Sequence, residues 1–442
     1  MSIKLKIAKA AVFLTAITQV GYAQAPSIKF EKYQLPNGLK VILHQDNSVP
    51  VVAVSTLYHV GSKNEDTSRT GFAHFFEHLL FEGSENIKRG EFDKYITNAG
   101  GNNNANTSQD RTFYYELLPA NQLPLGLWLE SERLMHAKID KIGVETQRQV
   151  VKEEKRTRMD NQPYGSFMTN MFSSAFKVHP YRWLPIGSME HLDNAQLNEF
   201  IDFYKKFYIP NNCVLSIAGD INIPETKKMI EEYFAAIPKG KTIERPKIVE
   251  PPLGGEVRKV IEDNIQLPAV MKGYRAPAQG TDDYYAFSVL SDILSGGPSS
   301  RYNKILVDQK QEAVFSFSNA FDLEDYGIFI NAAIASMGTT PEALEKSMDS
   351  IITDISTNKV GEREFQKVKN QIERAFVTAN SSMAGIAESL ANYETYFGDA
   401  NLINTEIEKI RKVTPDDVLR VAKKYLTKDN SVVLYYVPKA KK

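Results

Sequence analysis

The stretch 71–83, Gly-Phe-Ala-His-Phe-Phe-Glu-His-Leu-Leu-Phe-Glu-Gly, constrains this chain most. Within it the apolar run 72–81 carries three neighbouring groups, His74, Glu77 and His78, that are costly to bury without partners. On a helix each residue advances by about 100°, so His78 lies about 40° round from His74 and roughly 6 Å further along the axis. Two imidazoles so placed can converge on one ion. Glu77 falls about 60° from His74 on the other flank, within reach of a water at that ion without being a ligand. That is the position of a general base. The competing reading is that the two histidines only edge a core helix among Phe75, Phe76, Leu79 and Leu80.

The order H-x-x-E-H inverts the commoner H-E-x-x-H zinc motif, and a third ligand has to come from elsewhere. A helix is expected over 144–159, where Val150, Val151 and Glu154 stand at i, i+1 and i+4. Glu154 then shares the face marked by the valines, and Glu153 turns about 100° away. This selects Glu154 as the third ligand. The alternative is that both glutamates belong to the solvated charge run 152–158. All seven histidines lie before residue 192, and the later half has no cysteine, so a zinc centre belongs to the first half.

Lys4, Lys6 and Lys9, the apolar run 10–20 and Gly21-Tyr22-Ala23 read as a signal peptide over residues 1–23. The apolar run is short for a membrane span, and the mature chain is expected to have none. Losing the leader takes the formal charge from −1 to −4, which disfavours nucleic acid as a partner. Cys213 is the single cysteine, so no internal disulfide can form. An exported chain without disulfides suits a bacterial periplasm, with secretion beyond the cell as the alternative.

Strands are expected at 28–31, 39–44, 51–60, 104–108, 112–118 and 213–218, with helices at 90–98, 123–136, 195–207 and 224–236. The segment 237–253 holds Pro238, Gly240, Pro246, Pro251 and Pro252, and reads as a linker. Beyond it a similar order recurs: strands at 257–261, 269–274, 314–319 and 327–334, and helices at 282–294, 341–357 and 362–379. The division is therefore residues 26–237, a linker at 238–253, and a second unit at 254–442.

His74-x-x-Glu77-His78, the acid 76 positions later, and Gly100-Gly101-x-x-Asn104-Ala105-x-Thr107-x-x-Asp110-x-Thr112-x-Tyr114 together resemble the inverted-zincin peptidases of the pitrilysin and mitochondrial processing peptidase family. The resemblance implies an α+β fold, a tandem repeat of two domains, each a β-sheet backed by helices, forming one half of a clam-like chamber. It implies one Zn2+ per chain on His74, His78 and Glu154, with Glu77 as general base. Asn104, Ala105 and Thr107 would bind an extended peptide substrate along a strand edge. Family members often have an acid seven positions before the ligand glutamate; here Gln147 stands there, in a supporting role around the ligands. Many also carry an Arg and a Tyr in the far half. The corresponding stretch 300–315 offers Val307 or Asp308, and Phe315, with Arg301 too early. A partner is therefore expected, as a homodimer or as a heterodimer with a related non-zinc subunit that supplies the Arg and Tyr. The activity implied is that of a zinc endopeptidase for unfolded peptides or short exported fragments. Two rivals stand beside it: a non-catalytic scaffold that clamps peptides or a partner, and a zinc hydrolase of a non-peptide amide.

Overall fold

The computed structural model describes residues 27–440, so the proposed signal peptide lies outside the described residues. The first sheet is built from β1 (Glu31–Gln34), β2 (Lys40–Gln45), β3 (Val51–Tyr58), β4 (Asn102–Thr107), β5 (Thr112–Pro119) and β6 (Cys213–Gly219) in the order β1-β2-β6-β3-β5-β4. The second contains β7 (Val257–Asp263), β8 (Ala269–Ala276), β9 (Ala313–Phe321), β10 (Gly327–Ala335) and β11 (Ser431–Pro438), ordered β7-β11-β8-β10-β9. In each sheet one parallel pair, β2 with β6 and β7 with β11, sits beside antiparallel ladders. Apart from β1, the two orders are the same. The fold is the expected tandem α+β repeat.

Helices α1 (Phe72–Leu79), α2 (Phe92–Asn98), α3 (Leu123–Met135), α4 (Lys141–Lys155), α5 (Phe167–Ala175), α6 (Met189–Asn194), α7 (Leu197–Phe207) and α8 (Ile223–Phe234) belong to the first half. The second half has α9 (Asp282–Ser295), α10 (Pro341–Thr357), α11 (Glu362–Ala379), α12 (Met383–Phe397), α13 (Leu402–Lys412) and α14 (Pro415–Tyr425). Strand residues alternate between the two faces of a sheet. Val41, Val52, Val54 and Leu215 therefore meet Phe75, Phe76 and Leu127 on one face of the first sheet, while Ile42, Ala53, Leu57 and Phe113 point to the other.

That other face is covered from the far end of the chain. Met383, Ile386, Ala387, Leu390 and Ala391 of α12 pack on it. Reciprocally, Met171, Phe172 and Ala175 of α5 cover Met271, Ile328, Ile330 and Leu434 of the second sheet. The segment 238–253 separates the two sheets in sequence, but the covering helices are exchanged across it. Helix α5 was not expected from the sequence, nor were α6 or the elements after residue 379.

The turn between β9 and β10 docks into the first half by charge. Lys63 Nζ lies 2.9 Å from Asp110, 2.6 Å from Glu324 and 3.1 Å from Asp325. His59 Nε2 is 2.8 Å from Glu324 and His179 Nε2 is 3.3 Å from Asp325. The Tyr181 hydroxyl donates to Asp110 at 2.6 Å. Burial opposes ionisation of Glu324 and Asp325. Bonds from His59 and Lys63 to the first, and from His179 and Lys63 to the second, nevertheless bring both down to about 2.

A carboxylate depressed on folding contributes stability above its unfolded pKa of about 4 and loses it as pH falls through its folded value. Urea unfolding followed from pH 7 to about pH 2.5 should therefore show a steep acid decline between about 4 and 2. A Glu324→Gln/Asp325→Asn variant should start about 1–2 kcal/mol less stable at pH 7 and lose part of that decline.

Candidate metal centre

Helix α1 is held at both ends. At its start Gly71, with φ at +100°, turns the chain into the helix, a conformation that favours glycine. The buried Glu65 carboxylate accepts from Gly71 N at 2.9 Å, Ala73 N at 2.8 Å and the Trp183 indole at 3.1 Å. It thereby satisfies the helix-end donors that have no partner inside the helix. Burial pushes Glu65 up to about 8 against the pull of these donors. At the other end the Tyr114 hydroxyl donates to Phe76 O at 3.0 Å, and fully buried Arg133 donates to Leu80 O at 3.1 Å. Arg133 also pairs with Glu130 and Glu116 and lies 4.1 Å from the Tyr114 ring centroid. Phe72, Phe75 and Phe76 stack on Phe200 and Phe203, which leaves His74, Glu77 and His78 on the half-buried flank.

Helix α4 runs beside it. Asp140 caps its start by accepting from Gly143 N, and Arg89 ties Asp140 to Glu82, just past α1. Gln147 donates to Glu82 at 2.6 Å, so it fastens α4 to α1 and makes no hydrogen bond to either histidine. The buried stripe of α4 is Val144, Arg148 and Val151; Val150 is 44% exposed. Glu154 therefore reaches the site as the i+3 neighbour of Val151, and the two-valine face expected from the sequence does not exist. Glu153 turns outward and pairs with Arg156 at 3.3 Å.

Glu154 Oε2 lies 3.1 Å from His78 Nε2 and 3.5 Å from His74 Nε2, and it is buried without a hydrogen-bond partner. Ligands at 2.0–2.1 Å in a tetrahedral zinc site stand about 3.3 Å apart, so this orphaned oxygen and the two nitrogens fit a zinc ion. Among the described residues these three form the group of His, Cys, Asp or Glu side chains able to hold a metal. Burial and the neighbouring His78 bring His74 down to about 4, which keeps its imidazole neutral at physiological pH. The imidazoles of His78 and His74 beside it hold Glu154 below the usual carboxylate range, against burial. Arg158, four residues on, meets the other oxygen, Glu154 Oε1, at 2.6 Å.

Glu77 Oε2 accepts from the Thr107 hydroxyl at 2.6 Å. Burial raises its carboxyl above the ordinary value, and Thr107 pulls it partly back. Thr107 and Ala105 lie on this face of β4, an edge strand whose outer side no strand covers among the described residues. Asn104 is on the opposite face by alternation, and its carboxamide oxygen accepts from Ala105 N at 2.9 Å. In the far half Arg301 is held by Asp354 and Glu364, Val307 packs partly on the second core, and Phe315 stands exposed on β9.

Sequence reasoning missed Glu65, Arg133 and Arg158. Arg158 was recoverable from its i+4 spacing to Glu154. Glu65 caps from six residues upstream, outside any local capping pattern.

Two tandem α+β units with a His-His-Glu donor set on paired helices define the inverted-zincin class of metallopeptidases. Residues 40–182 match the family described as Insulinase (Peptidase family M16), and 194–372 match the Peptidase M16 inactive domain. The zinc protease PqqE of Helicobacter pylori is 31% identical over 441 residues, covering 99% of both chains. The crystal structure of a protease from Helicobacter pylori superposes with a TM-score of 0.89 at 31% identity, over 93% of this chain and 100% of that one. The periplasmic protease PqqL from Escherichia coli aligns with 93% of this chain and 48% of its own, with a TM-score of 0.75 at 18% identity. The chain belongs to peptidase family M16, whose relatives here are named zinc proteases.

Replacing Glu65 by Ala leaves the buried helix-end donors unpaired. It should cost about 1–3 kcal/mol in urea unfolding and weaken zinc binding in a chelator competition. Unchanged zinc affinity would show that the cap does not orient the ligands.

Proposed function

We propose that the chain is a zinc-dependent endopeptidase that cleaves extended, unfolded peptides, working with a second chain in the periplasm. The observation that carries this reading is the meeting of the Glu77 carboxylate, the His74, His78 and Glu154 donors and the free β4 edge at one place. When bound there, zinc supplies a Lewis acid that polarises a carbonyl and lowers the pKa of water to about 7.

The chain's own residues do the rest. Thr107 occupies Glu77 Oε2 and leaves Oε1 to take a proton from the attacking water. Partial burial raises the proton affinity of Glu77, which suits a base that must then hand the proton to the departing amine. The water oxygen bonds to the peptide carbonyl carbon, the C–N bond breaks, and Glu77 returns to its carboxylate form. Outward backbone groups of Ala105 and Thr107 would pair with an extended substrate, so conformation is read more than side-chain identity. Asn104 turns its own backbone groups to β5, and its carboxamide oxygen covers the outward Ala105 N–H that a substrate would take over.

The stretch 300–315 has no free Arg beside a Tyr, which supports a partner as the source of those groups. The alignment of this chain with about half of a periplasmic protease is consistent with one half of a chamber. The leader-like N-terminus agrees with export. The same lack favours, as a second reading, a subunit that clamps peptides without cutting them.

The test is cleavage of a quenched unstructured peptide by zinc-quantified protein, alone and with its co-purifying chain. Turnover should need the second chain and fall by a factor of about 10²–10⁴ in Glu77→Gln at unchanged zinc content. Retained turnover in that variant would refute the assigned base. Survival of the peptide in every zinc-loaded mixture would favour the clamping subunit.

A further inference from the structure

A recess of about 340 Å³ opens between the two halves, on the side of the first sheet that α12 covers. Part of its wall is aromatic, Tyr284 from α9 and Tyr393, Tyr396 and Phe397 from α12, and the rest is largely polar. Three carboxylates line it: Asp110, which is paired with Lys63, Asp322 from the turn after β9, and Glu406 from α13. Among the described residues neither Asp322 nor Glu406 has a Lys, Arg or His partner in an ion pair. Glu406 accepts hydrogen bonds from Tyr285, at 3.2 Å, and from Tyr393, which satisfy its oxygens without neutralising its charge.

The nearby cations are already engaged. Arg111 also lines the recess, and its guanidinium is committed to Glu388, Asn392 and Asn106. Lys63 takes Asp110, and Lys409 sits on the Tyr285 hydroxyl at 3.2 Å. Asp322 is exposed within the recess and Glu406 is half-buried, neither is paired with a protein cation, and the ring faces beside them attract an organic cation.

We propose that this recess is a binding site for a small organic cation, an alkylammonium or guanidinium compound, held by Asp322 and Glu406 and covered by the tyrosine rings. The volume lies at the small end of the range for ligand sites. Asp322 is open to solvent within the recess yet ringed by protein, and this enclosure together with Glu406 and Asp292 brings it up to about 7, against a hydrogen bond from Tyr284. A bound cation favours its ionised form, so binding should strengthen as pH rises through 7. The site is separate from the metal centre, so its failure would leave the peptidase reading untouched.

The experiment is calorimetric titration of the full chain with agmatine, which carries both head groups, at pH 6 and pH 8. Saturable binding below about 1 mM at pH 8, weaker at pH 6, is expected. Asp322→Asn and Glu406→Gln should each weaken it by about tenfold or more, while an exposed control, Asp429→Asn, should not. Both test variants remove a repulsive charge, so both should fold. No binding at about 10 mM agmatine, equal binding by the variants, or binding of calcium with no binding of agmatine would overturn the proposal.

Discussion

Ile42, Ala53, Leu57 and Phe113 on the first sheet, and Met271, Ile328, Ile330 and Leu434 on the second, have to be covered by helices from the opposite half. Each large apolar side chain on such a face contributes roughly 1.5–3 kcal/mol when buried. Neither sheet retains that contribution if the halves part. The exchange of α5 and α12 therefore makes one body of two repeats and brings the β9–β10 turn against His59, Lys63 and Asp110. The same exchange walls the recess between the halves, since α12 lies on the first sheet while carrying Tyr393 and Tyr396.

On that frame the metal helix is fixed by groups outside its own sequence. Its first donors meet Glu65, its last carbonyls meet Tyr114 and Arg133, and one face is filled by aromatic rings from α7. Its remaining flank can then carry two imidazoles and a carboxylate at low mobility. Helix α4 is fastened alongside through Gln147, Glu82, Arg89 and Asp140, which sets Glu154 beside the imidazoles without a hydrogen bond from Gln147 to either one. Glu77 is aimed by Thr107, a residue of the edge strand on which a peptide would lie. A single strand would thus link the proposed base and the substrate.

Local patterns in the sequence expose the tandem repeat, most strands and the helix bearing His74 and His78, because period-2 and period-3.6 signals survive where one face meets a core. Glu154 was selected by an argument that is partly wrong: Val150 is exposed, and only Val151 marks the buried stripe. The exchange of α5 and α12 was hidden because an apolar helix face shows that it needs a cover and not which sheet provides it. Asn104 illustrates a related limit. Its place in a motif says nothing of the sheet face its side chain takes, which alternation assigns to the side away from Glu77. Glu65 caps from six residues upstream and Arg133 reaches Leu80 from 53 residues further along, both beyond the local spacing rules.

The most direct measurement is crystallography of the zinc-loaded chain with anomalous difference maps collected above and below the zinc absorption edge. The account predicts one strong peak that vanishes below the edge, bounded by His74 Nε2, His78 Nε2 and Glu154 Oε2, with Glu77 outside the ligand set. No peak there in zinc-saturated crystals, or a peak bound through Glu153 or Glu77 in place of Glu154, would contradict it.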